Sequence, residues 1–211
     1  MAHGTRYALP SYTALHTHIP GTHLGYLVLC NDEIELAGVS NPEDQHYAYA
    51  DPGSAQTYLT ALDQIDAFVS AEGPFDGVFA FSQGAGLAIQ YMVRKKTRDP
   101  DGPGVFKCAI LFAPTAAGDE NWYQKTGQMR LLKRLPEGLL LDTPTALIWG
   151  AKDEWRDMFE KDCVVWEEGS LWQCMHDGGH EIPGLNMKGA IKATVKVIRR
   201  AVTDALSRSE L

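Results

Sequence analysis

The 211-residue sequence lacks a long hydrophobic run, a strongly basic segment and an apolar leader. No segment approaches the roughly 18 apolar residues that a membrane helix needs. No Lys/Arg run exceeds three residues, and the net charge is −8. The first 20 residues contain no continuous apolar stretch of the kind found in signal peptides. We therefore expect no membrane partner and no nucleic-acid partner.

Cysteine is also scarce, with four residues and no CxxC pair. Cys30, Cys108 and Cys174 each lie in an apolar, strand-like run. Buried free thiols in a reducing compartment are the expected state of such cysteines, so the sequence indicates a cytoplasmic protein. We expect no metal ion and no cofactor.

Short apolar runs alternate with longer amphipathic ones, which predicts an α/β fold with a mostly parallel sheet flanked by helices. No linker divides the chain, so residues 1–211 are expected to form one domain. Strands are predicted at 24–30, 76–81, 107–113, 145–149 and 171–176. Helices are predicted at 55–71, 83–97, about 121–135 and 185–207, and the basic cluster 94–96 is expected to be solvated at a helix end.

The strongest chemical signal is the segment Ala80-Phe81-Ser82-Gln83-Gly84, which follows an apolar strand and precedes a helix. A serine on such a sharp strand-to-helix turn is a nucleophile elbow, and its neighbours two positions away must be small. Ala80 and Gly84 meet that demand. The helix start would aim the Gln83 N–H at a developing oxyanion. The alternative is a serine that only caps the helix.

Two later turns supply an acid and a base in the chain order of an α/β-hydrolase triad. Asp153 follows the strand 145–149 through a glycine-containing turn, and His180 follows the strand 171–176 through Gly178-Gly179. His180 would take the proton of Ser82, and Asp153 would fix the imidazole tautomer.

Other residues compete for these roles. Glu154 is next to Asp153 and could be the acid instead. His176 could be the base, but it lies inside a strand that would pin its ring. His176 and His180 also have the spacing of a metal pair, although Gly178-Gly179 disfavours the helix that would put both on one face, and no HExxH glutamate is present.

The sequence resembles the fungal serine hydrolase family, a branch of the α/β hydrolases. Family members carry GPFDGVxGFSQGA, a later strand-G-x-x-D segment and H-x-GGH-x-xP. This chain reads GPFDGVFAFSQGA at 73–85, ends a strand in GAKD at 150–153, and reads HDGGHEIP at 176–183. The resemblance covers roughly residues 10–205 and assigns the triad to Ser82, Asp153 and His180.

The resemblance implies a small serine hydrolase that cleaves a thioester or an ester through an acyl-serine intermediate. Many fungal members look like thioesterases that release polyketide chains from an acyl carrier protein in secondary-metabolite biosynthesis, as in lovastatin-type pathways. Others look like small-molecule carboxylesterases. The expected substrate is therefore a small acyl ester or a carrier-bound acyl thioester, and the possible protein partner is a polyketide synthase carrier.

The N-terminus departs from the family pattern. Members open with an apolar strand followed by His-Gly, whose loop donates the second oxyanion N–H. Here only two residues precede His3-Gly4, so the first strand is expected to be truncated, with Gly4 or Thr5 as the donor and 12–20 as the following helix. Two interpretations stay open. Either the oxyanion hole is defective and the chain is a hydrolase-fold binding protein, or another segment occupies the place of the truncated first strand.

Residues between the predicted strand 107–113 and the strand that precedes Asp153 would cover the substrate. Trp122, Tyr123, Met129 and Leu132 lie there and are the candidate substrate-binding residues. Ordinary core or surface packing is the alternative for the same amphipathic segment.

Overall fold

A six-stranded sheet whose strands follow chain order forms the centre of the protein. The computed structural model describes residues 14–18, 25–29, 48–133, 135, 138–159 and 165–209. The strands are β1 (Ala14–His18), β2 (Gly25–Leu29), β3 (Gly77–Phe81), β4 (Cys108–Phe112), β5 (Thr145–Gly150) and β6 (Leu171–His176). The helices are α1 (Ala55–Glu72), α2 (Ser82–Arg98), α3 (Glu120–Thr126), α4 (Arg156–Phe159) and α5 (Lys188–Ser209).

Strands β2 to β6 are parallel, and only β1 runs antiparallel to its neighbour. The prediction of a mostly parallel sheet flanked by helices is therefore confirmed. Parallel strands that are covered on both faces read as continuous apolar runs, which explains why β3, β4 and β5 can be predicted from the sequence, whereas β6 alternates between exposed and buried residues.

Alternate side chains of the central strands pack into two separate hydrophobic cores, one on each face of the sheet. In β4, Ala109 and Leu111 pack on the side of α1 and α2, whereas Ile110 and Phe112 pack on the side of α5. This two-sided burial fixes the register, because a slip by one residue would exchange the two sets. Because β2 to β6 are parallel, their carboxyl ends lie at one edge of the sheet, where the turns carrying Ser82, Asp153 and His180 meet.

The N-terminal part differs from expectation in two ways. Residues 14–18 form the strand β1, paired antiparallel with β2 from Ala14↔Leu29 to His18↔Gly25, so the predicted helix over 12–20 is wrong. Strand β2 lies parallel to β3, pairing Tyr26 with Gly77. The position beside the serine's strand, which the truncated first strand was expected to leave open, is thus occupied by β2. Residues 1–13 lie outside the described residues.

Helix α3 is shorter than the predicted 121–135 helix. It ends at Thr126 because Gly127 takes a left-handed conformation with φ of 68° and its N–H bonds the Tyr123 carbonyl. The chain then returns, and the Leu132 N–H bonds the Ala117 carbonyl. Pairing with the 117–119 segment, which the local pattern could not reveal, replaces the rest of the helix.

The basic cluster at the end of α2 also differs from expectation. The Arg94 side chain is 1% exposed and pairs with Asp63 at 2.8 Å and Glu120 at 2.7 Å, so Arg94 is not solvated. Burial lowers its pKa, but the two carboxylates outweigh that effect and raise it. Arg94 therefore ties α2 to α1 and to the start of α3.

Two of the four cysteines lie among the described residues, and both match the sequence prediction. Cys108 and Cys174 are both buried, as expected, and burial raises the pKa of the Cys174 thiol. Cys30 and Cys163 lie outside the described residues. In the described part of the chain, no helix is long and apolar enough to cross a bilayer.

Candidate active site

Ser82 lies at the junction of β3 and α2, with no loop between strand and helix. Its φ of 54° falls in the left-handed region, which a residue with a side chain rarely adopts. The Thr115 N–H, just beyond β4, bonds the Ser82 carbonyl at 3.1 Å and helps hold this strained turn. A Cβ on Gly86 would lie 2.6 Å from the Thr115 carbonyl oxygen, so glycine permits this close approach.

Asp153 lies on the turn that follows β5. Its own N–H bonds the Gly150 carbonyl, and its Oδ1 accepts the Trp155 N–H at 2.9 Å. The second carboxylate oxygen, Oδ2, points to His180, and the side chain is fully buried. One oxygen of the Asp153 carboxylate is thus fixed by its own turn while the other faces His180.

The turn that carries His180 is joined to the acid's turn by backbone hydrogen bonds. The Ala151 N–H bonds the His176 carbonyl at 2.7 Å, and the Lys152 N–H bonds the Gly178 carbonyl at 2.9 Å. Gly150 makes this approach possible, because a Cβ there would overlap the carbonyl groups of Gly178 and Gly179. The two turns are therefore held at a fixed separation by main-chain atoms.

The structure brings Ser82, His180 and Asp153 into one hydrogen-bonded chain. His180 Nδ1 lies 2.9 Å from Asp153 Oδ2, and His180 Nε2 lies 2.9 Å from Ser82 Oγ. An ionised carboxylate only accepts hydrogen bonds, so Nδ1 carries the proton and Nε2 is left to accept the serine O–H. The His180 side chain is 8% exposed and its ring packs against Phe81.

The competing acid and base have other surroundings. The Glu154 side chain is exposed to solvent. His176 is buried in β6, where its Nδ1 accepts the Gly178 N–H at 3.1 Å. His176 therefore supports the turn that carries His180, while His180 itself contacts the serine.

Of the two predicted oxyanion residues, Gln83 lies among the described residues and Gly4 does not. Gln83 is the second residue of α2, within the first turn, whose N–H groups have no partner inside the helix. Its side chain is buried: Oε1 accepts the Tyr49 N–H at 2.8 Å, and Nε2 donates to the Ala50 carbonyl at 2.8 Å. Gln83 thus also fastens the segment at 48–50 to the serine's helix. Gly4 lies outside the described residues.

The predicted substrate-binding residues fall into two groups. Tyr123 is 2% exposed and packs against Tyr58, which matches the packing alternative, and burial raises its pKa. Trp122 is half-buried with the Arg130 guanidinium 4.0 Å above its ring. Met129 is half-buried as well, so Trp122 and Met129 stay predictions.

Leu132 lines a cavity of about 870 Å³ between the second half of α2 and residues 118–140. The residues that line this cavity include Gln90, Arg94 and Leu139 but none of the three hydrogen-bonded side chains. It is therefore separate from the serine.

Sequence reasoning missed three exposed apolar side chains on the acid and base turns. Trp155 is 38% exposed two residues after Asp153, and Ile182 and Leu185 are 39% and 88% exposed shortly after His180. Large apolar residues directly behind the acid and the base were the available signal. They give the edge near the triad an apolar character.

Comparison with known proteins gives one family match and several relatives. The family model described as serine hydrolase (FSH1) matches residues 29–190. Esterase FPY3 of Fusarium mangiferae is 34% identical over 167 residues, covering 76% of this chain and 73% of FPY3. Hydrolase phiM of a fungal species (strain ATCC 74256) is 26% identical over 133 residues, covering 60% of this chain and 59% of phiM.

Other similarities cover less or are more distant. Serine hydrolase cnsH of Penicillium expansum is 39% identical over 64 residues, 30% of this chain and 25% of cnsH. The chain thus spans less than two thirds of phiM and of cnsH. Among solved structures, a carboxylesterase from Mesorhizobium loti is 16% identical with a TM-score of 0.49, covering 74% of this chain and 71% of that one.

Proposed function

Because the chain belongs to the serine hydrolase (FSH1) family, whose α/β-hydrolase fold it shares, we propose that it cleaves acyl esters or thioesters with Ser82 as the nucleophile. The observation that carries the proposal is the chain of two 2.9 Å hydrogen bonds from Asp153 through His180 to Ser82. In this scheme His180 is the general base and Asp153 orients it.

The first half-reaction acylates the enzyme. Ser82 Oγ attacks the acyl carbonyl carbon while its proton passes to His180 Nε2. The imidazolium that forms is stabilised by the buried Asp153 carboxylate. The bond from carbon to the leaving oxygen or sulfur then breaks, and His180 returns the proton to the departing alcohol or thiol.

The second half-reaction uses water in place of the serine. His180 takes a proton from water, the hydroxide adds to the acyl carbon, and the ester bond to Ser82 breaks with return of the proton to Oγ. In both halves the carbonyl oxygen becomes negative, and the Gln83 N–H at the start of α2 is its proposed donor. A donor from the segment around Gly4 would complete the oxyanion hole.

The substrate proposed is an acyl group with a sizeable apolar part, carried as a thioester on a carrier protein. Support comes from the apolar side chains of Trp155, Ile182 and Leu185 on the turns that hold the acid and the base. Such a surface favours a hydrophobic acyl chain over a small polar one. Release of a polyketide in fungal secondary metabolism is the setting proposed for it.

A free small ester is the second candidate substrate. The relative FPY3 is named an esterase, which favours this alternative. The chemistry is the same, and only the leaving group differs. Higher kcat/KM on p-nitrophenyl acetate than on an N-acetylcysteamine thioester of a medium-length acyl chain would favour the free ester.

Active-site labelling tests the proposal directly. A fluorophosphonate probe should label the wild-type protein and the control Ser209→Ala, whose hydroxyl lies far along α5, but not Ser82→Ala. Loss of the serine should reduce turnover by on the order of 10⁴–10⁶-fold. Labelling that persists in Ser82→Ala, or a wild-type protein inert to both probe and esters, would reject the proposal and favour a binding protein with a hydrolase fold.

A further inference from the structure

Positive charge is concentrated on one element of this acidic protein. The chain has a net charge of −8, yet α5 alone contains six of its 19 lysines and arginines and one acidic residue, Asp204. The buried face of α5 is formed by small and apolar residues such as Val197, Ala201 and Ala205. Five of the six cations are exposed on the outer face of α5, whereas Arg208 donates hydrogen bonds to the Asp142 carbonyl and to Ser170 Oγ.

Four of these cations line a groove of about 800 Å³ between α5 and the outer strand β6. They are exposed and recur at helical spacing: Lys192, Lys196, Arg199 and Arg200. Trp172 of β6 and Val195 of α5 add apolar surface to the same groove. Thr203, Asp204 and Ser207 complete the lining, and Asp204 is paired with Arg208. A cationic border around an apolar floor is the composition of a protein-docking surface rather than of a fully solvated helix face.

The four groove cations have no ion-pair partner among the residues that the structure describes. By contrast, Lys95, Lys107 and Arg208 each pair with a carboxylate. Like charges gathered on one face repel one another and create a local positive potential. A partner with an acidic surface would relieve that repulsion.

The groove runs along α5, starting near the edge of the sheet that carries the triad and extending away from it. Helix α5 begins at Lys188, eight residues after His180, at the carboxyl end of β6. Because a helix rises 1.5 Å per residue, Lys192 lies roughly 6 Å along α5 from its first residue, whereas Arg200 and Trp172, the second residue of β6, lie farther from that edge. A substrate that arrives on a flexible arm can dock at a distance from the site, and the Lys192 end of the groove is the end nearer the triad.

We propose that the groove formed by α5 and Trp172 docks the acidic protein domain that carries the acyl thioester. This inference rests on the proposed function and names the surface by which its substrate is delivered. A second copy of the chain fits the groove less well. Two α5 helices packed against each other would bring like charges together, and α5 packed against a different face of the second copy would not form a closed symmetric dimer. A membrane fits less well too, because the apolar face of α5 is already buried against the sheet.

The test compares a charge reversal in the groove with a matched reversal elsewhere. Lys192→Glu/Lys196→Glu should lower kcat/KM for octanoyl-acyl carrier protein by about 10- to 1000-fold, with KM rising further as salt is added. Turnover of the octanoyl N-acetylcysteamine thioester should be unchanged. The control Lys125→Glu/Lys133→Glu alters net charge equally on exposed residues outside the groove, and Lys192→Arg/Lys196→Arg should retain activity.

A binding measurement separates failure of docking from failure of catalysis. In the Ser82→Ala background, fluorescence anisotropy of labelled octanoyl-acyl carrier protein should show weaker binding only for the groove reversal. Equal binding by both reversals would overturn the docking proposal while leaving the hydrolase proposal intact. Groove-dependent binding to phosphatidylserine vesicles without groove-dependent binding to the carrier would overturn it in favour of a lipid surface.

Discussion

Replacing Gly150 by alanine should separate the acid from the base without removing either. A Cβ at this position would lie 2.7 Å from the Gly178 carbonyl carbon and closer still to the carbonyl oxygens of Gly178 and Gly179. These are backbone atoms, so the turn that carries His180 must move by on the order of 1 Å. A misplacement of that size in a catalytic group lowers activity by about 10²-fold.

The matched control is Gly179→Ala. A Cβ there meets only the Lys152 carbonyl oxygen at 3.9 Å, an ordinary contact, so the turn can accept it. Both variants add one methyl group at the same backbone junction, Gly150 at the end of β5 and Gly179 in the turn after β6. Gly179→Ala should therefore keep activity within a few-fold of wild type, since it disturbs neither turn.

The assay is kcat/KM on p-nitrophenyl acetate together with the thermal unfolding midpoint. Gly150→Ala should lose about 10²-fold in kcat/KM and roughly 1–3 kcal/mol of stability, the usual cost of overpacking, while remaining folded at 25 °C. Wild-type activity in Gly150→Ala would show that the backbone contact between the turns does not set the distance from Asp153 to His180. Equal losses in Gly150→Ala and Gly179→Ala would show that the overlap at Gly150 is not the cause of the lost activity.

Three further predictions concern stability and reactivity. Arg94→Ala leaves the carboxylate of Glu120 without its buried partner, so the free energy of unfolding in urea should fall by about 3 kcal/mol, and an unchanged midpoint would contradict the assignment. Burial alone would raise the pKa of Asp66, but hydrogen bonds from Tyr91 and Lys95 outweigh burial and lower the pKa below its ordinary value of 3.8. The ionised Asp66 carboxylate should therefore stabilise the protein relative to Asp66→Asn fully well above pH 3.8, and this stabilisation should be lost as the pH falls below that value. Thermal unfolding of both proteins from pH 7 to pH 3 measures the difference. Burial raises the pKa of Cys174, so iodoacetamide should modify this thiol far more slowly in the native protein than in urea, and mass spectrometry showing equal rates would refute its burial.

The parallel core and the relative placement of Ser82, Asp153 and His180 could be read from the sequence. Buried parallel strands are continuous apolar runs, and their carboxyl ends share one edge of the sheet, so residues that follow successive strands meet there. The short turns GAKD and DGG left little freedom in where Asp153 and His180 could lie. Local sequence was sufficient in these places because the information is carried by neighbouring residues.

Other features depend on contacts between segments that are distant in the chain. The strand at Ala14–His18 exists through pairing with β2, and α3 stops at Thr126 because the following residues pair with 117–119. Arg94 belongs to a run that looks like a solvated helix end, yet Asp63 and Glu120 bury it. None of these partners is adjacent in sequence, so helix propensity and charge pattern pointed elsewhere.

The joint between the turns after β5 and β6 has a consequence for how such an enzyme can diversify. Its hydrogen bonds run from the N–H groups of Ala151 and Lys152 to main-chain carbonyls, so they do not depend on which side chains occupy those positions. Substitutions at the exposed Lys152, Trp155 or Ile182 can therefore change the surface near the triad while the main-chain bonds that hold the two turns together stay in place. A combinatorial library restricted to these outward-facing positions would vary that surface without disturbing the distance between Asp153 and His180.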